Sequence, residues 1–149
     1  MNQTASSLVA RAALEMAFTR DHDEEADCQA RWQKLGVAAA AVDFGGPFEI
    51  QVPRVIERAI VAARREGVVS ETHGELGAVA GAAHEAMSQL GQKAFGLNVG
   101  GKAAICRQGD HLVVAVVASV GLVHLDDVAV GLGHRVAVSG RPPEKSSEK

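Results

Sequence analysis

The chain has 149 residues, 47% of them hydrophobic and 22% charged, with a formal net charge of -3. That length suits one domain, because two separate cores would each be marginal, and the apolar fraction excludes wholesale disorder. No apolar run reaches the roughly 20 residues of a membrane helix, and Met1-Asn2-Gln3-Thr4 lacks the basic start of a signal peptide, so the expectation is a cytoplasmic protein without membrane contact.

In chain order, Leu8, Ala12, Glu15 and Met16 set helical spacing over Ser6 to Thr19. The acidic group Asp21, Asp23, Glu24, Glu25 and Asp27 suits a turn and the start of a second helix, where carboxylates meet the positive end of the dipole. That helix carries Cys28 and Trp32 and stops at Gly36. Val37 to Phe44 reads as a strand broken by Gly45-Gly46-Pro47, and Pro53 fits the first turn of a third helix whose apolar face is Val55, Ile56, Ala59, Ile60 and Ala63. A fourth helix is expected from about Glu71 to Leu90. Its Gly74, Gly77 and Gly81 weaken it intrinsically and imply a partner element at very short distance.

The remainder reads as strands. Gly91 to Gly101 is expected to be a glycine-punctuated connection. Lys102 to Arg107, a turn at Gln108-Gly109-Asp110, and His111 to Val120 then carry a hairpin signature. A bend at Leu125-Asp126-Asp127 precedes a last strand, Val128 to Val138, with a small-residue face. The expected fold is α+β, a mostly antiparallel four-stranded sheet packed with helices in the order ααβααβββ, forming one domain over residues 1–138. Ser139 to Lys149, with Pro142-Pro143 and mixed charges, reads as a disordered tail.

Chemical motifs are sparse. Gly96 to Ala103 ends in Gly-Lys but has alanine where a phosphate loop needs a hydroxyl for magnesium, and it leads into a strand. Cys28 and Cys106 cannot make a disulfide framework and read as reduced, buried thiols. Cys106 and Ser119 lie mid-strand without an adjacent base, so the chain is not expected to be an enzyme. The histidines, His22, His73, His84, His111, His124 and His134, form no HxxxH or HExxH pair. His84 stands out within an apolar helix, and His124 lies beside Asp126 and Asp127. Arg54, Arg58, Arg64 and Arg65 form either a solvated face or a phosphate contact. With an acidic balance and only 3% aromatic residues, the monomer has no broad positive field and little on which to stack bases.

The segment GDHLVVAVVASVGLVHLDDVAVGLGHR, Gly109 to Arg135, resembles the C-terminal half of the HutP family of RNA-binding antiterminators. AHEAMSQL at Ala83 to Leu90, RAIVAARREGVV at Arg58 to Val69, SLVARAALEMAF and KLGVAAAAV follow the family's order, so the resemblance spans about residues 6 to 138. It implies a dimer-based homo-oligomer, typically a hexamer, with L-histidine and Mg2+ at a subunit interface held by three protein imidazoles. It also implies that ligand-ordered binding to spaced RNA triplets prevents a terminator hairpin. His84 falls on the second family histidine, the first falls on Ala80 and the third on Asp127, so the metal set implied here is His84 with Asp127. The family's RNA-contacting positions have no recognisable counterparts. His84 is expected to be largely buried, near a pocket or subunit interface and close to the Asp126-Asp127 bend. The alternative reading is an oligomeric small-molecule-binding or interaction module that has lost RNA binding.

Overall fold

A computed structural model describes residues 3–19, 21–70, 74–120, 123–124 and 134–136. Helices α1 (Gln3–Phe18) and α2 (His22–Lys34) come first, followed by strand β1 (Ala38–Pro47) and helices α3 (Phe48–Arg65) and α4 (Glu75–Ala94). Strands β2 (Asn98–Gln108) and β3 (His111–Val120) follow, then two short segments, β4 (Val123–His124) and β5 (His134–Val136). The α2 helix starts with Asp23, Glu24 and Glu25 and ends with Arg31 and Lys34, the charge order its dipole favours.

The sheet consists of three long antiparallel strands in the order β1-β2-β3. This corrects the four-stranded expectation. The long last strand expected at Val128 to Val138 is represented by three residues of β5, His134 to Val136, paired with Leu112 to Val114; its other positions and the tail lie outside the described residues. The two-residue β4 pairs with the end of β3. Only Gly109 and Asp110 separate Gln108 from its partner His111, and Gly109 supplies the left-handed φ of 60° at this tight turn.

Strand alternation makes two cores, one on each face of the sheet. Val9, Ala12, Met16 and Trp32 of α1 and α2 cover Ala39, Ala104, Cys106, Val113, Ala115 and Val117. On the other face Val55, Ala59, Val79, Met87 and Leu90 of α3 and α4 cover Ala40, Phe44, Ile105, Leu112, Val114 and Val116. Burial in the first core pushes the Cys106 thiol well above its ordinary value, so it is an inert packing group, as expected; Cys28 is half-buried.

Three expected boundaries move. β1 runs through Gly45-Gly46 to Pro47, because both glycines pair with β2. The expected Gly91–Gly101 connection is α4 to Ala94 and then β2 from Asn98. Gly101 belongs inside the sheet for a steric reason: a Cβ there would lie 2.0 Å from the Val117 carbonyl oxygen and 2.6 Å from Phe44 Cζ. Finally, α3 starts at Phe48 and leaves Pro53 inside the helix. The Phe48 N–H donates to the Leu97 carbonyl at 3.1 Å and its ring is buried against Gly91, so tertiary contacts begin the helix one and a half turns before the proline.

Among the described residues two charged side chains are buried, Glu75 and Lys102. Glu75 accepts the Ser70 N–H at 2.7 Å and pairs with Arg107 Nη1 at 2.9 Å, tying the start of α4 to β2. Lys102 pairs with Glu25 and Asp43 on the opposite face.

Candidate functional site

His84 lies in the middle of α4 and lines an open groove of about 470 Å³ between α3 and α4. Phe48, Val52, Met87, Gly91 and Phe95 give the groove an apolar lining, and Glu49, His84, Ser88 and Gln92 edge it with polar groups. Gly91 makes the close approach of the two helices possible, since a Cβ there would sit 2.9 Å from the buried Phe48 ring. Glu49, in the first turn of α3, is held by the Gly96 N–H donating to its Oε2 at 3.1 Å.

His84 lines this groove and its side chain is exposed in the single chain; its expected neighbours at the Asp126-Asp127 bend and at a subunit interface lie outside what a single described chain holds. Ala80, one turn earlier on the same face, contributes a methyl group where a second imidazole would be needed. Asp126 and Asp127 lie outside the described residues, as do the side chains of His124 and His134. Among the described residues no three His, Cys, Asp or Glu side chains converge on one point. A three-imidazole Mg2+ and L-histidine site does not fit the described donor set. Glu49 is the groove carboxylate that the sequence did not disclose; its only signal was an acidic residue placed to begin a helix, and the helix start was expected elsewhere.

The same helix reveals what its glycines do. A Cβ at Gly77 or Gly81 would meet nothing within 4 Å, so within the described chain no element approaches them; of the expected partners, another element of the fold or a second subunit, the first is not there. With Gly74, His84 and Ser88 they follow a 3-4-3-4 spacing along one exposed stripe of α4. Near its end Phe95 is 74% exposed, and Ile50 and Leu97 are exposed as well.

The outward face of α3 carries Arg54, Arg58, Arg64 and Arg65, all exposed, with Val61 exposed among them. The helix holds four arginines against Glu49 and Glu57, so it is a positive strip on an otherwise acidic chain.

The HutP family model matches residues 9–135, most of the chain. The chain belongs to the HutP family. HutP proteins are regulatory RNA-binding antiterminators rather than enzymes, and the two-plus-two helical arrangement around an antiparallel sheet is this chain's version of the domain. No curated protein matches the sequence. No helix among the described residues is long and apolar enough to cross a membrane.

Proposed function

We propose that this HutP protein is a cytoplasmic RNA-binding regulator of transcription antitermination, folded as one domain over residues 1–138 and acting as a homo-oligomer. The family match over residues 9–135 carries this reading. The physical route is multiplication of weak contacts: one α3 strip offers four guanidinium groups, and copies of it in an assembly engage successive phosphates with high effective concentration. This reconciles RNA binding with an acidic, aromatic-poor monomer.

The α4 stripe and the apolar groove are the surfaces on which a second subunit packs, in a dimer-based assembly up to a hexamer. Exposed Phe95 and the open glycines at 77 and 81 support this use. Gly81→Leu separates assembly from folding, because the added side chain has room in the single chain and removes a helix-weakening glycine worth up to about 1 kcal/mol. Light scattering should show a smaller species for Gly81→Leu with an unreduced intrinsic fold by circular dichroism. A strictly monomeric native protein would refute the packing surface.

L-histidine and Mg2+ are the effectors proposed from the family, with His84 and Asp127 as the protein positions toward the cation. One imidazole and one carboxylate make a smaller but harder donor set than three imidazoles, so the site should favour Mg2+ over softer divalent cations such as Zn2+. The decisive experiment titrates triplet-repeat RNA against the assembled protein, with and without L-histidine and Mg2+. Tighter binding with both is the expected result. No binding across a random triplet-repeat library at low salt, with both present, would favour the oligomeric interaction module without RNA activity, the reading that Ala80 supports.

Replacing Arg54, Arg58, Arg64 and Arg65 together by glutamine should weaken RNA binding alike for all sequences. It should flatten the log–log salt dependence by about 3 per bound protomer if all four touch phosphate. Unchanged affinity in a correctly assembled variant would move the RNA surface to another face.

A further inference from the structure

Strand β1 is an edge of the sheet, since among the described residues it pairs with β2 alone. Two independent hydrogen bonds fix which of its backbone groups face the open side. The Phe48 N–H donates to the Leu97 carbonyl, and these two positions continue the β1–β2 register, so even-numbered residues turn their N–H and C=O toward β2. The Ala39 carbonyl instead accepts the Gln29 side chain at 2.7 Å, so odd-numbered residues turn theirs away. Ala39, Ala41, Asp43 and Gly45 therefore point backbone donors and acceptors outward, and Pro47 ends the row without an N–H.

Open edges are commonly blunted by lysine, proline, a bulge or a covering element. Here Gln29 covers the Ala39 end and Pro47 closes the other. Between them Ala41 is half-buried, Gly45 is exposed and the Asp43 side chain is 59% exposed. Among the described residues no hydrogen bond engages the outward backbone groups of these three.

This row fits a second copy of itself. In an antiparallel pairing with its two-fold axis at Val42, Ala41 exchanges both bonds with the partner subunit's Asp43, and Asp43 does so with the partner's Ala41, giving four hydrogen bonds from groups that are free in the single chain. The next pair sets the Gln29-capped Ala39 against the partner's Gly45, which has no side chain to meet Gln29. Neighbouring registers are poorer. An axis at Asp43 places two carboxylates opposite each other. An axis at Phe44 places Ala41 opposite a proline, and one at Ala41 makes Asp43 depend on the Ala39 carbonyl that Gln29 already occupies.

We propose that the β1 edge is a two-fold interface between copies of this chain, joining two sheets into one continuous antiparallel sheet through Ala41, Val42 and Asp43. This rests on the homo-oligomer reading and deepens it: an assembly of dimers larger than a dimer needs two kinds of contact, and the α4 stripe with its groove supplies only one.

The test uses the full chain. Ala41→Pro removes an outward N–H and leaves the β1–β2 bonds in place, because proline is tolerated where the N–H faces away from the sheet. Light scattering should show half the native mass, with the native circular dichroism spectrum. Independently, Val42→Cys in a Cys28→Ser background puts two thiols at the axis, where facing Cα atoms lie about 4.5 Å apart, within reach of a disulfide. Mild oxidation should give a covalent dimer for Val42→Cys, also when Gly81→Leu is added, and none for Arg11→Cys on the exposed side of α1. Native mass in a folded Ala41→Pro, or no more crosslinking at position 42 than at position 11, overturns the proposal; if Ala41→Pro does not fold, the crosslink decides. Either result with an assembled native chain leaves the homo-oligomer reading standing on α4 alone, whereas a monomeric native chain refutes both.

Discussion

Gly101→Ala is expected to lower the stability of the folded chain by at least about 3 kcal/mol, read as a shift in the urea midpoint. Overpacking a core commonly costs 1–3 kcal/mol because side chains can yield. Here the first obstacle is a backbone atom of the neighbouring strand, at 2.0 Å, and the second is the ring of the buried Phe44. Relief requires β2 and β3 to separate at the Gly101–Ala118 pair, in the middle of the sheet. Against a total stability on the order of 5–15 kcal/mol, that loss is a substantial fraction and should be plain in the urea midpoint. An alanine variant with native stability would show that the two strands can part locally without cost.

Arg107→Met should cost nearly as much, by a different route. Glu75 is fully buried, and Arg107 supplies its opposing charge at 2.9 Å. Glu75 Oε2 has no hydrogen-bond partner among the described residues, so the carboxylate is already incompletely compensated. Removing one member of a buried pair typically costs 3–5 kcal/mol, chiefly through the charge left behind. The Arg107 side chain retains 24% exposure, which places this case near the lower figure, about 3 kcal/mol. The double variant Arg107→Met with Glu75→Leu removes the stranded charge and should recover most of the loss in the same denaturation experiment. A double variant as unstable as the single one would mean that Arg107 acts through packing instead.

Both sites mark where the sequence is hard to read. Hydrophobic periodicity located all four helices and the β2–β3 hairpin, because apolar spacing reports which face is covered. It says little about why a polar residue or a glycine is present. Glu75 has the pattern of an ordinary solvated carboxylate near a helix start, and only the arrival of Arg107 from β2 makes it interior. Gly100 and Gly101 carry poor strand propensity, so they suggested a connection; the proximity of Phe44 and Val117 decides otherwise. The glycines of α4 signal a close partner without saying which, and Gly77 and Gly81 lie open within the described chain. For the site, the position of His84 beside a pocket was legible, whereas Glu49 was not, because its place depends on α3 starting at Phe48. Asp127 lies outside the described residues.

The unequal composition of the two sheet faces has a consequence for how the molecule opens. Toward α1 and α2 the strands present Ala39, Ala104, Ala115 and Cys106 with Val113 and Val117, while toward α3 and α4 they present Phe44, Ile105, Leu112, Val114 and Val116 with Ala40, Ala103 and Ala118. Lifting away the first helical layer therefore uncovers less apolar surface of the sheet than lifting away the second, and surface uncovered sets the free energy of such partial openings. The amino-terminal layer is the one that detaches at lower cost, and Cys106, inert in the closed protein, is the atom that meets solvent when it does. The thiol thus acts as a built-in reporter, silent in the intact domain and chemically awake only in molecules whose first two helices have come away.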